Sequence, residues 1–218
     1  MTWPGSSGSW SGVPGPPDAD AFARCLAGGG VAVFPADTVY GLACDPEHGE
    51  AVARLYALKG RPPTQPSAVM FFDVALALDA LPELGGRSRA LLARLLPGGV
   101  TLLLPNHRGR FPLACGADPH TLGLRVPEAS VLAGVGTPVL QSSANLSGGP
   151  DARRLEDVPA AIRDGADLLV DAGELPGTPS TVIDLRRFEA AGEWDVVRAG
   201  AVERDAIART VAASSKVL

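Results

Sequence analysis

With 218 residues, 46% of them hydrophobic, the chain has enough apolar side chain for one well-cored domain. Its net charge of -5 and pI of about 5.2 exclude a dominant nucleic-acid-binding face and leave room only for a local basic patch. Three widely spaced cysteines and three scattered histidines, with no CxxC pair, argue against a disulfide framework and a zinc site.

Met1 to Pro17 is rich in Ser, Gly and Pro and reads as a flexible tail. It has neither the basic start nor the apolar run of a signal peptide. No segment is long and apolar enough to span a membrane, so a cytoplasmic protein is expected. Asp18 to Ala27 reads as a helix with an acidic start, ended by Gly28-Gly29-Gly30. Val31 to Phe34 is a short strand. Ala51 to Leu58 is a helix with Val52, Leu55 and Tyr56 on one face. Val69 to Phe72 is a strand, and Ser88 to Leu96 a helix broken by Pro97-Gly98-Gly99. Val100 to Leu104, Leu122 to Val126 and Pro138 to Gln141 are strands. Val158 to Arg163 is a short helix. Leu168 to Val170, Thr181 to Leu185 and Asp195 to Arg198 are strands, and Arg204 to Ala213 is a closing helix. The interleaving implies one α/β domain over residues 18–213, its short apolar strands largely covered on both faces.

Several segments break this pattern with polar chemistry. After the apolar Pro138-Val139-Leu140, the run Gln141-Ser142-Ser143-Ala144-Asn145 places amides and hydroxyls where a core would continue. Such groups are costly to bury unpaired, so the run is either a polar turn or the wall of a polar-ligand pocket. Pro35 to Leu42 follows a strand, where α/β sheets bind ligands, and offers the Asp37 carboxylate, the Thr38 hydroxyl and the Tyr40 ring. A capped turn with a core tyrosine explains that segment equally well. Lys59 extends the apolar face of its helix, and Gly60 frees Arg61 to turn the same way. Two adjacent cations repel unless an anion lies between them, which favours a phosphate or carboxylate site over a merely dipole-complementing helix end. Lys59 and Lys216 are the only lysines, which makes the first more pointed. Ser180-Thr181 opens a strand, and Arg198-Ala199-Gly200 closes one. Neither a P-loop nor a GxGxxG or GxSxG motif is present.

Taken in order, PADTVYGL, KGRP, PGGVTLLL, LGLRVP, SSANLSG, STVID and VRAGAV resemble the YrdC/Sua5 family of threonylcarbamoyl-AMP synthases, over roughly Ala21 to Ala206. The resemblance implies a three-layer α/β domain with a twisted mixed sheet around a concave basic cavity, in its short single-domain form. It implies condensation of L-threonine, bicarbonate and ATP, with Mg²⁺, into threonylcarbamoyl-adenylate and pyrophosphate. A downstream threonylcarbamoyl transferase complex, and weakly tRNA, would be its partners in tRNA modification. The family's functional tetrad falls on Lys59, Arg61, Ser143 and Asn145. Thr38, Tyr40, Arg125, Ser180 and Arg198 match substrate-binding positions. No protein metal site is implied. The chain departs from the family at Ala36, Gln65-Pro66-Ser67 and Gly99, which keeps two alternatives in view. One is a paralogue using another amine. The other is a non-catalytic RNA-binding module, which the acidic charge balance disfavours.

Overall fold

The computed structural model describes residues 17–128 and 131–214. The tail expected over residues 1–17 lies outside the described residues, apart from Pro17, which opens the first helix. The chain runs α1 (Pro17–Ala27), β1 (Ala32–Pro35), β2 (Tyr40–Cys44), α2 (Gly49–Lys59), β3 (Ala68–Met70), α3 (Val74–Ala80), α4 (Gly86–Leu95) and β4 (Val100–Pro105). It continues β5 (Thr121–Arg125), β6 (Val139–Ser143), α5 (Ala160–Gly165), β7 (Leu168–Leu169), β8 (Thr181–Asp184), α6 (Phe188–Ala191), β9 (Asp195–Arg198) and α7 (Arg204–Ser214).

The strands form one mixed sheet in the order β7-β1-β2-β6-β3-β5-β4-β8-β9. β7 runs parallel to β1, β3 to β5, and β8 to β4; the remaining pairs are antiparallel. The two faces of this sheet differ. Side chains alternate along a strand, so Leu102 and Leu104 of β4, and Leu122 and Leu124 of β5, point to one face. There they join Leu55 of α2, Ala77 of α3, Leu91 and Leu92 of α4, Ile162 of α5, Phe188 of α6 and Ile207 of α7 in the main core. Among the described residues the second face is covered at one end only. There Phe22 of α1 packs with Phe34 and Phe72, ring centroids 5.4 to 6.5 Å apart, over Ala43, Met70 and Val139. At the other end the outward residues are Ala68, Thr101, Leu103, Thr121, Gly123, Arg125, Gln141 and Ser143, and they floor a cavity.

The expectation of a sheet covered on both faces therefore holds over half of it. The exposed half is encoded in the alternation of Thr101-Leu102-Leu103-Leu104 and Thr121-Leu122-Gly123-Leu124-Arg125, where every second residue is polar, small or only partly buried. Among the strands and α-helices, three elements escaped the sequence reading. β2 is a continuous apolar run buried at every residue, without the period that marks a strand. α3 is short, though its Asp73 N-cap accepts hydrogen bonds from Ala75 N and Leu76 N at 2.7 and 3.1 Å. α6 is a single turn.

Candidate active site

The cavity has a volume of about 390 Å³ and lies over β3, β4, β5, β6 and β8. Three guanidinium groups line it, from Arg61, Arg125 and Arg198, together with hydroxyls of Thr38, Thr101, Ser142, Ser143 and Ser180. Its carboxylates, among the described residues, are Asp118 and Asp151.

At one end, α2 delivers Lys59 and Arg61. Gly60 caps this helix in the left-handed region at φ 59°, and its amide donates to Ala57 O at 3.0 Å. That reversal needs no side chain and turns Arg61 back toward the sheet. Lys59 is 3% exposed. Its ammonium donates to the backbone oxygen of Ser143, to Asn145 O at 2.9 Å and to Asn145 Oδ1 at 3.0 Å. A lysine ammonium has no donors beyond these. Asn145 Oδ1 also accepts from Ser143 Oγ at 2.7 Å, and its Nδ2 donates to Gly149 O at 2.6 Å and toward Asp151 Oδ1 at 3.4 Å. The β6 strand extends to Ser143, two residues beyond its expected end, and so carries the hydroxyls onto the cavity wall.

Lys59, Ser143 and Asn145 are thus one hydrogen-bonded unit, not two half-sites facing each other across a gap. Neither Lys59 nor Asn145 lines the cavity. Burial, then the neighbouring Arg61 charge, push the Lys59 ammonium down to about 8, with Asp151 opposing. Arg61 does reach the cavity. Its Nη1 donates to Ser142 Oγ and its Nε to Gln65 Oε1, both at 2.9 Å, and burial lowers its pKa.

At the other end, Asp37 holds a left-handed turn at φ 63°, a conformation Asp tolerates better than most residues. Its Oδ1 accepts from Arg125 Nη2 at 2.7 Å and its Oδ2 from the Glu128 amide at 3.1 Å. The pair is almost fully buried, the side chains 4% and 11% exposed. Arg125 also reaches Thr38 Oγ1 at 3.4 Å and Ala36 O at 3.3 Å, yet its buried Nε has no partner. A buried donor without an acceptor is uncommon, and because this nitrogen has no exposed surface a cavity ligand does not reach it in this arrangement. Arg198 donates to Ser180 O at 2.7 Å, and Ser180 Oγ pairs with Thr101 Oγ1 at 2.8 Å. Gly200 makes this possible: a Cβ there would sit 2.2 Å from Pro179 O.

Of the residues expected to bind substrate, Thr38, Arg125, Ser180 and Arg198 line the cavity and Tyr40 does not. Tyr40 is a core residue whose hydroxyl donates to Asp171 Oδ1 at 2.7 Å or Gly173 O at 2.9 Å and accepts from Ala172 N at 3.0 Å. Its pKa is pushed up to about 12 by burial. The core-tyrosine alternative therefore holds for Tyr40, and Asp37 serves Arg125 instead of a ligand. Sequence reasoning placed Ser142 in the polar run but missed Thr101 and Asp151, which also line the cavity; the alternation on β4 was the signal for Thr101. Among the described residues no cluster of His, Cys, Asp and Glu could hold a metal, and Cys25, Cys44 and Cys115 are free thiols. His48 caps α2, its Nδ1 accepting from Ala51 N at 3.2 Å.

Comparison with known proteins fits this geometry. The Sua5/YciO/YrdC family model, described as "Telomere recombination", matches residues 24–200. The threonylcarbamoyl-AMP synthase of Chromohalobacter salexigens is 37% identical over 176 residues, covering 78% of this chain and 94% of that relative. That of Xanthomonas campestris is 33% identical, covering 80% and 96%. The crystal structure of P. abyssi Sua5 complexed with L-threonine superposes with a TM-score of 0.78 at 26% identity, covering 88% of this chain and 56% of that longer one. The chain belongs to the Sua5/YciO/YrdC family.

Proposed function

We propose that the chain is a threonylcarbamoyl-AMP synthase, a nucleotidyltransferase that makes the activated precursor for threonylcarbamoyl-adenosine in tRNA. The observation that carries the reading is the convergence of Arg61, Arg125 and Arg198 on one cavity in a chain of net charge -5. The curated relatives of that name and the threonine complex of Sua5 support it.

Threonine's amine and bicarbonate give a carbamate with loss of water. A carbamate oxygen attacks the α-phosphorus of ATP, the bond from that phosphorus to the bridging oxygen breaks, and pyrophosphate leaves. Bicarbonate, the carbamate, ATP and pyrophosphate are anionic, so fixed positive charge lowers the barrier, and holding the reactants together supplies the entropic part. Arg61 contributes the N–H groups left free on each Nη. Lys59 acts through its field and by fixing Ser143 and Asn145, since its donors are already taken. Thr38, Arg125, Ser180 and Arg198 bind substrate, and Tyr40 positions the segment it holds. Mg²⁺ bound to the triphosphate would offset its charge and would keep several waters; Asp118 and Asp151 are the cavity carboxylates, among the described residues, that could add a ligand. Residues 18–213 form the catalytic domain, acting in the cytoplasm ahead of a threonylcarbamoyl transferase complex, with at most weak contact to tRNA.

Purified protein given ATP, Mg²⁺, bicarbonate and L-threonine is expected to release pyrophosphate in a threonine-dependent way, and Arg61→Ala to abolish this. Release with another amine but not with threonine would refute the assignment.

A further inference from the structure

Arg61 is the only tetrad cation that lines the cavity, so its orientation decides what it does there. Its guanidinium is held at all three nitrogens: Nε by Gln65 Oε1 at 2.9 Å, Nη1 by Ser142 Oγ at 2.9 Å and Nη2 by Pro66 O. Two of these acceptors belong to the turn that follows the KGRP motif. That turn is itself braced. Gln65 N donates to Pro62 O at 3.1 Å, and the Tyr56 hydroxyl contacts Gln65 O at 2.8 Å and Ser67 Oγ at 2.9 Å. From the far side, Ala117 N donates to Thr64 O and Ser67 N to Ala114 O, at 2.8 and 2.9 Å. Gly116, at φ 61°, lies so close that a Cβ would come within 2.5 Å of Thr64 O. The Tyr56 ring that supports Gln65 from below also lies under the guanidinium, 5.9 Å from Arg61 Cζ.

We infer that Gln65 is a positioning residue for the nucleotide: its side-chain oxygen fixes the Arg61 Nε–H, so that the unpartnered N–H groups on the two Nη atoms are presented together to a phosphate. Guanidinium binds phosphate best through such a planar fork, which a freely rotating side chain presents only part of the time. Glutamine suits the task because its amide oxygen accepts without adding a negative charge beside an anionic substrate. Gln65 is exposed, so its replacement leaves the core untouched.

This inference rests on the proposed ATP-dependent activity, and its test separates the two. In ¹⁵N-labelled protein the Arg61 Nε–H resonance, identified by its loss in Arg61→Lys, reports the contact directly. Gln65→Met, close in shape but without an acceptor, is expected to shift and broaden that resonance, while Gln65→Glu retains it. In calorimetric titration with Mg·ATP, Gln65→Met should weaken affinity about three- to tenfold, the loss of one positioned hydrogen bond. In the Arg61→Lys background, which has no Nε–H, the same substitution should change nothing. An unchanged resonance in Gln65→Met overturns the contact. Equal weakening in both backgrounds, or a lost resonance with unchanged affinity, overturns the positioning role. A wild-type protein whose Arg61 resonance responds to Gln65→Met but which binds no Mg·ATP refutes the functional reading and the nucleotide role together, leaving the contact standing.

Discussion

The two ends of the cavity use positive charge in opposite ways. At the α2 end, Lys59 is closed: its donors are spent on Ser143 and Asn145, and Asn145 is spent in turn on Ser143 and Gly149. At the β5 and β9 end, Arg125 carries a buried Nε with no acceptor, and Arg198 stands on an exposed strand end. Lys59 satisfies its own surroundings. Arg125 is stabilised by Asp37 but left incomplete. The lesson is that two cations beside one cavity can be committed to their surroundings to different degrees, one with every donor paired and one with a donor left over.

Arg125→Leu tests this comparison most severely. It strands the Asp37 carboxylate in a nearly dry site, and breaking a buried pair from one side costs about 3–5 kcal/mol. Urea unfolding should show that loss; a change near zero would mean Asp37 is solvated and the end is not closed around it. Lys59→Met comes next. It keeps the apolar stem but removes the lysine donor from Ser143 O and Asn145 O, while Asn145 Oδ1 keeps the Ser143 hydroxyl, for about 1–3 kcal/mol per group left buried and unpaired. Thermal unfolding should fall, and threonine-dependent pyrophosphate release should fall more steeply than in Gln65→Met. Gly200→Ala should cost about 1–3 kcal/mol through overpacking, because its Cβ meets the Pro179–Thr181 backbone. Its signature is a higher KM with a largely intact fold, as Arg198 is pushed off Ser180.

The smallest effect is the pH dependence of Lys59. Its cation exists below about 8 and is lost above, so Mg·ATP affinity should decline as pH rises through that value. Stability moves the other way. Between about 8 and the ordinary 10.5 the folded chain has released a proton that the unfolded chain still holds, so folding gains with rising pH in that window and is indifferent to this group below it. Lys59→Met should abolish both trends, as read by calorimetry and by melting across the pH range.

Much of the fold is written locally. β9 falls on Asp195–Arg198 as expected, and α2 and α4 on their apolar periods, because glycine and proline punctuate those segments sharply. β2 and α3 are carried by tertiary burial, and no period announces them. In the site, Lys59 was legible as a cation on an apolar face, and the resemblance located Ser143 and Asn145. That these residues touch was not legible, since the contact depends on β2 and β3 pairing with β6 in the observed register. Tyr40 shows the opposite limit. A motif places it beside the substrate, while its hydroxyl is already claimed by Asp171 and Gly173 from the far end of the chain.

The strand order has a consequence for biosynthesis. Thr38 leaves the sheet after β1, Arg125 ends β5, Ser143 ends β6 and Arg198 ends β9, yet all border one hollow because the sheet interleaves early and late strands. A nascent chain emerging from the ribosome therefore holds an open sheet face with no complete anion cradle until β9 has appeared and docked on β8. Polypeptides arrested before that point would carry most of the core but lack the Arg198 side of the cavity. The cavity would be closed in one late step, when β9 docks on β8.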